Sequence, residues 1–307
     1  MKAFGKATGM NDPITVLDVA VPVIDSSEML VKIEAIGVGV HDEYFHAPTV
    51  AYPYVIGIEA AGIVQEIGKN IKDYKIGDRI TFISMMQPKG GTWAEYAVVA
   101  DNSLILPIPQ EMSFVQAAAI PVAANTALKI MAGADLKSGE TIFIAGGAGA
   151  IGSLLIQISK KQGLTVIASA SSKNHSLLKE LGADSVVDYH DRDWQGQVLG
   201  LLPGGVDAGV GIHPGTPKDV QPVIKDGGVL IAVSGDELPV ERGITLKGVF
   251  NSIDVHEELL MIMQQLIAGE IIQTIEKVYP FSEAAQALDK VKTRHNRGKL
   301  VITLKKK

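Results

Sequence analysis

The chain has 307 residues, enough for roughly two domains of ordinary size with cores that need no staples. A formal net charge of −6 with 20% charged and 47% hydrophobic residues leaves no basic surface for nucleic acid or an anionic membrane. The absence of cysteine excludes disulfides, thiolate nucleophiles, iron–sulfur clusters and cysteine-held zinc.

Residues 1–13 carry no apolar run, so no secretory leader is expected and the chain is placed in the cytoplasm. Short β runs follow at 29–36, 62–67, 79–83 and 95–99, separated by turns such as Lys75-Ile76-Gly77-Asp78 and Pro88-Lys89-Gly90-Gly91. This half predicts a small, irregular β-barrel. From Met112 the period changes, and the Ala-rich stretch 115–132 reads as helix. The most apolar long stretch, 117–134, is interrupted by Pro121, Asn125 and Lys129, which suits a buried soluble helix rather than a membrane span.

Strand and helix then alternate: strand 141–145, helix 152–163, strand 165–170, helix 175–181, and strands 185–188, 206–212, 228–233 and 244–250. Apolar strands with helical crossovers predict a doubly wound parallel sheet covered on both faces. Helix 256–268, strand 275–279, helix 282–292 and strand 300–304 close the chain and are expected to rejoin the first domain, with Lys305-Lys306-Lys307 a solvated end. The expected division is 1–121 with 252–307, and 122–251.

Directly after strand 141–145 comes Gly146-Gly147-Ala148-Gly149-Ala150-Ile151-Gly152, in which Gly147, Gly149 and Gly152 fit G-x-G-x-x-G at a strand-to-helix turn. The first glycine makes the tight turn, the second admits a pyrophosphate close to the backbone, and the third lets helix pack on strand. The N–H groups opening the helix, from Ala150 and Ile151 onward, complete an anion site. An NAD site would end its second strand in an acid that holds the ribose 2′-hydroxyl. Here Ser171, Ser172 and Lys173 stand in that place, and no carboxylate precedes Glu180. Hydroxyls and an ammonium suit a 2′-phosphate, so the expected cofactor is NADP(H). The alternative is that the two serines cap the next helix and Lys173 is a solvated charge.

Several further stretches carry a family resemblance: Gly57-Ile58-Glu59-Ala60-Ala61-Gly62-Ile63-Val64, Gly68, Gly77-Asp78-Arg79, Gly91-Thr92-Trp93-Ala94-Glu95-Tyr96, Ala118-Ala119-Ile120-Pro121 with Asn125-Thr126-Ala127, and Arg297-Gly298-Lys299. The chain resembles the medium-chain dehydrogenase/reductase superfamily, and within it the zinc-independent quinone oxidoreductases and their enone-reductase relatives. The resemblance implies a GroES-like catalytic domain beside a Rossmann domain. Where the zinc enzymes carry Gly-His-Glu this chain has Gly57-Ile58-Glu59, and where their first loop supplies a cysteine it reads Val38-Gly39-Val40-His41-Asp42. No metal is expected, since a catalytic zinc takes three protein ligands and only His41 and His46 are close in sequence.

Without a Lewis acid, a quinone or an α,β-unsaturated carbonyl is the better hydride acceptor, because its π-system spreads the incoming charge and only hydrogen bonds are needed at oxygen. The resemblance places Tyr44 beside the nicotinamide as the group that hydrogen-bonds the substrate oxygen or lines its pocket. His41, in the same loop, is the candidate proton relay. The family often has asparagine at the position of Gly39. Taken as bare residues, Tyr44 packs its ring under the loop, His41 is solvated and Asp42 braces the turn. The resemblance further assigns Thr126 to the nicotinamide side, Tyr189 to the adenine side, Arg294 to the phosphates, and Val233, Ser234, Phe250 and Lys299 to the cofactor. Met85, Met86 and Pro88 form an apolar substrate wall or ordinary core. Two other readings stay open: a zinc-free alcohol or aldehyde reductase, and a nicotinamide-binding sensor of little turnover. The last parallel strand, 244–250, is expected at a sheet edge where two copies pair into a homodimer.

Overall fold

The computed structural model describes residues 1–47, 49–249 and 252–304. In chain order, β1 (Lys2–Lys6), β2 (Thr15–Asp18), β3 (Glu28–Val38), β4 (Tyr54–Val55), β5 (Glu59–Ile67), β6 (Arg79–Ile83), β7 (Tyr96–Ala100) and β8 (Leu104–Pro107) precede two helices, α1 (Phe114–Ala118) and α2 (Pro121–Ala134). The predicted single helix is broken. Pro121 disfavours helical backbone in the residue before it but suits the first turn of α2. A capping box between Ser113 and Gln116 starts α1.

Next come β9 (Thr141–Ala145), α3 (Ala150–Lys161), β10 (Thr165–Ser169), α4 (His175–Glu180), β11 (Ser185–Val187), α5 (Trp194–Leu201), β12 (Val206–Gly211), α6 (Thr216–Val220), β13 (Ile224–Ala232), β14 (Thr245–Gly248) and α7 (His256–Ile267). The chain ends with β15 (Ile275–Pro280), α8 (Ala284–Lys292) and β16 (Lys299–Thr303).

These elements form two compact units, Met1–Val122 with the chain from Ile275 onward, and Ala123–Thr274. In the first, a three-stranded sheet (β2-β1-β4) and a seven-stranded sheet (β15-β16-β3-β5-β6-β8, with β7 also on β3) share one core that includes Phe4, Ile33, Phe82, Trp93 and Leu300. The closing strand β16 lies antiparallel on β3, Leu300 opposite Val38, so the C-terminal segment does return to the first half.

The return comes later than residue 252, because α7 is tied into the second unit. It buries Leu259, Ile262 and Met263, and just beyond it the Gln157 amide on α3 both donates to the Ile272 carbonyl (3.0 Å) and accepts the Ile272 N–H (2.7 Å). In this unit all six strands are parallel, in the order β11-β10-β9-β12-β13-β14. The order reverses between β9 and β12, and in such sheets ligands bind beyond the carboxyl ends of the strands at that point. Among the described residues no helix is long and apolar enough to cross a membrane.

Candidate functional site

In the second unit the glycine turn sits at that reversal. The left-handed residue of the turn is Gly146 (φ 84°), one position earlier than the motif suggested. Gly147 is needed for another reason: a side-chain carbon there would lie 2.9 Å from Leu178 and 3.1 Å from Ala168. At Gly152 such a carbon would meet the Gly146 carbonyl oxygen at 2.3 Å, which is the close helix-on-strand packing expected of the third glycine. Gly149 is the N-cap of α3, and the nearest atom to its missing side chain is the Gly146 oxygen at 3.5 Å. Its outer face is therefore open where a pyrophosphate would approach the helix N-terminus, so these residues fit a dinucleotide.

Ser171, Ser172 and Lys173 follow β10 in a short 3₁₀ turn, with Ser172 and Lys173 exposed. Neither Ser171 nor Asn174 makes a side-chain capping bond, so capping does not occupy the Ser171 hydroxyl, which accepts from Asn174 Nδ2 at 3.3 Å. Asp188 is a neighbour that sequence reasoning missed. It stands at the end of β11, and its Oδ2 accepts the Ser172 N–H (2.9 Å) while Oδ1 accepts from the His190 backbone (2.9 Å) and ring Nδ1 (2.8 Å). These hydrogen bonds, that of the His190 backbone first, hold its carboxyl down at about 2. The signal was available only as the parallel register of β10 and β11, which sets Ser169 opposite Val187.

Tyr189 is exposed and its ring leans on that of His190, centroids 4.1 Å apart. Val233 and Ser234 follow β13, where the Val233 N–H donates to the Gly211 carbonyl and the Ser234 hydroxyl to the Ile212 carbonyl. His213, after β12, was not anticipated. Its Nε2 would lie 3.3 Å from a side-chain carbon at Gly146, placing an imidazole against the glycine turn. Thr126 is half-buried on α2, and Phe250 lies outside the described residues.

In the first unit, β3 runs into the loop that carries His41, Asp42 and Tyr44. Tyr44 is 62% exposed, so its ring stands out from the loop rather than packing beneath it. The His41 ring leans on Phe45, centroids 5.0 Å apart. Desolvation first, then the Arg294 and Lys299 charges, hold the imidazole of His41, an exposed residue, below its ordinary value of 6.5. Asp42 is buried, and its Oδ2 accepts the Gly39 N–H (2.8 Å) and Trp93 Nε1–H (3.1 Å). Glu43 pairs with Lys292.

Glu59 and Lys299 form an ion pair inside the unit, 0% and 4% exposed, and Glu59 Oε2 also accepts the Val122 N–H (2.8 Å). Lys299, assigned to the cofactor by resemblance, thus has its ammonium held by a carboxylate. Arg294 is exposed in left-handed backbone (φ 57°). Met85 and Met86 are 43% and 44% exposed, surface rather than core.

Residues 25–110 match the alcohol dehydrogenase GroES-like domain family and residues 181–302 the zinc-binding dehydrogenase family. The chain is 32% identical to the 2-methylene-furan-3-one reductase of Solanum lycopersicum, across 93% of this chain and 74% of that protein. It is 29% identical to the quinone oxidoreductase of Sus scrofa, across 94% of this chain and 92% of that one. Among solved structures, a mycobacterial protein complexed with NADPH superposes with a TM-score of 0.84 at 26% identity, over 99% of both chains. The zinc in one family description finds no donor set here. The histidine position is filled by Ile58, 3% exposed, and among the described residues no three His, Asp or Glu side chains are grouped to hold a metal ion.

Proposed function

Since the chain belongs to the medium-chain dehydrogenase/reductase superfamily, in its zinc-independent quinone oxidoreductase branch, we propose that it is an NADPH-dependent reductase of quinones or α,β-unsaturated carbonyls. The observation that carries this reading is the open cradle at Gly146–Gly152, set where the strand order of a parallel sheet reverses. The nicotinamide supplies a hydride when bound, and the protein orients the acceptor, hydrogen-bonds its oxygen and excludes water. Gly149 and the first turn of α3 would hold the pyrophosphate, and Ser171, Ser172 and Lys173 the 2′-phosphate. The reading places the enzyme in the cytoplasm, beside the NADPH it consumes. Oxidation of NADPH against a panel of quinones, enones and aldehydes tests it: turnover with quinone or enone supports it, and turnover with aldehyde alone replaces it by an aldehyde reductase.

NADPH is expected to bind more tightly than NADH by about 1.5–3 kcal/mol, the range for hydrogen bonds to a charged group. Titration calorimetry of both cofactors at fixed ionic strength measures this, and equal affinity would mean that the Asp188 carboxylate cancels the clamp. Tyr44 donates its hydroxyl to the acceptor oxygen in this reading. Because the ring is so exposed, Tyr44→Phe is expected to lower kcat and kcat/KM together by about tenfold, less than the ~10²–10³-fold of an enclosed donor. If Tyr44→Phe and Tyr44→Ala are both silent in steady-state kinetics, the residue has no part in the site.

Two copies are proposed to pair through β14. It is the last strand of the six, and among the described residues its ladder partner in the sheet is β13, which makes its outer edge the place where a second chain would pair. Light scattering that gives the mass of one chain removes this proposal.

A further inference from the structure

The two oxygens of Asp42 are treated unequally. Oδ2 accepts two donors, Gly39 N–H and Trp93 Nε1–H, whereas Oδ1, equally buried in a side chain 2% exposed, has no hydrogen-bond partner among the described residues. Native structures leave few buried polar atoms in that state. Oδ1, itself closed to solvent, lies at van der Waals distance from the position that a Gly39 side chain would fill. A carbon built there would lie 3.8 Å from Oδ1 and 4.0 Å from the His41 amide nitrogen, the nearest atoms among the described residues outside its chain neighbours Val38 and Val40. Gly39 is half-buried and is not among the left-handed glycines, so its backbone does not demand glycine. The space is a consequence of the residue type.

We infer that the space beside Gly39 seats the carbonyl oxygen of the enone or quinone, and that Asp42 donates a proton to that oxygen from Oδ1. This rests on the reductase reading above. The hydrogen-bond pattern suits a neutral acid: Oδ2 serves as the carbonyl oxygen accepting two donors, and Oδ1–H points at the subsite. The charged groups around Asp42 are Lys299 and Glu59, with His41 on its own loop and Arg294 beyond it. Glu59 already engages the Lys299 ammonium and Asp42 has no cation of its own, so burial dominates and pushes its carboxyl up to about 7.

The step balances. As a hydride equivalent is added to the β-carbon, the C=C electron pair shifts towards the carbonyl oxygen. The Oδ1–H bond breaks as the new O–H bond forms, leaving an enol and an Asp42 carboxylate; from a quinone this first product is a keto tautomer of the hydroquinone, which forms when the carbon that took the hydride loses one hydrogen as a proton to water and the second carbonyl oxygen takes up a proton from water. Water entering beside Gly39 after product leaves returns the proton.

The indole bonded to Asp42 provides a readout that needs neither cofactor nor substrate. Trp93 and Trp194 are the two tryptophans, and Trp194 stacks on Phe143 in the other unit. In a Trp194→Phe background, Trp93 fluorescence is expected to titrate with a midpoint near neutral pH, and Asp42→Asn should abolish that titration. Asp42→Asn keeps an acceptor for both donors but has no proton to give, so kcat should fall by about 10²–10³-fold, within the range for general acid catalysis, with NADPH affinity unchanged. In the unmodified enzyme kcat should decline above the Trp93 midpoint. Gly39→Ala, which partly fills the subsite, should raise KM for the acceptor, and it keeps the inference testable if Asp42→Asn fails to fold. A Trp93 signal flat from pH 5 to 9, or a folded Asp42→Asn enzyme within twofold of wild-type kcat, overturns the assignment of Asp42 alone. A protein that shows the titration but reduces neither acceptor overturns the reductase reading itself, and the proton transfer with it.

Discussion

Replacing Lys299 by methionine is expected to destabilise the first unit by about 3–5 kcal/mol, the cost of stripping one partner from a buried ion pair. The reason is the burial of what remains. Glu59 is 0% exposed, and without the ammonium its carboxylate keeps the Val122 backbone N–H, far from the solvation an ionised group requires. The double replacement Glu59→Gln with Lys299→Met removes both charges and should recover most of that loss, since exchanging a whole buried pair for groups of similar size is often neutral. Urea unfolding followed by Trp93 fluorescence in a Trp194→Phe background reports on the right unit, because Trp93 lies in its core. A single replacement costing under about 1 kcal/mol, the range for exposed pairs, would mean that water reaches the pair.

The stability gap between Asp42→Asn and the unmodified protein is expected to widen by about 4 kcal/mol between pH 4 and pH 7. Folding raises the Asp42 carboxyl from its ordinary 3.8 to about 7, chiefly by burial. Below pH 4 the group is protonated folded and unfolded alike, and its contribution is fully present. As pH rises the unfolded chain ionises while the folded one keeps its proton, so folding takes up a proton and stability falls by about 1.4 kcal/mol per pH unit until the folded group ionises near 7. Above that the gap is flat. Taking the difference between the two proteins cancels the other titrating groups, including Asp188, whose lowered value acts in the opposite direction and below pH 4. Denaturant midpoints at half-unit pH intervals measure the gap. A gap independent of pH would place Asp42 in an ordinary solvated environment.

Local pattern alone determined much of this protein. The run Thr141–Ala145 followed by glycines and an amphipathic helix located the turn at the sheet's reversal point, because strand, turn and helix are each encoded within a few residues by periodicity and by where a side chain cannot fit. The loss of metal donors was equally legible in Ile58 and the lack of cysteine, being a matter of residue type. Short strands such as β1, β2 and β8 escaped, since four or five residues carry too little periodicity to register. The tertiary structure decided which distant groups meet. Glu59 and Lys299 lie 240 positions apart, Asp42 and Trp93 51, and Ser172 and Asp188 16, and no local pattern links the members of any pair. It likewise moved α7 into the second unit through Gln157 and Ile272, 115 positions apart. A sequence shows which side chains can bear charge or donate a hydrogen bond. Whether water, a partner or an empty space faces them depends on burial, which only the packed chain fixes, and that decides that Lys299 meets a carboxylate inside the first unit and that one oxygen of Asp42 is unpaired among the described residues.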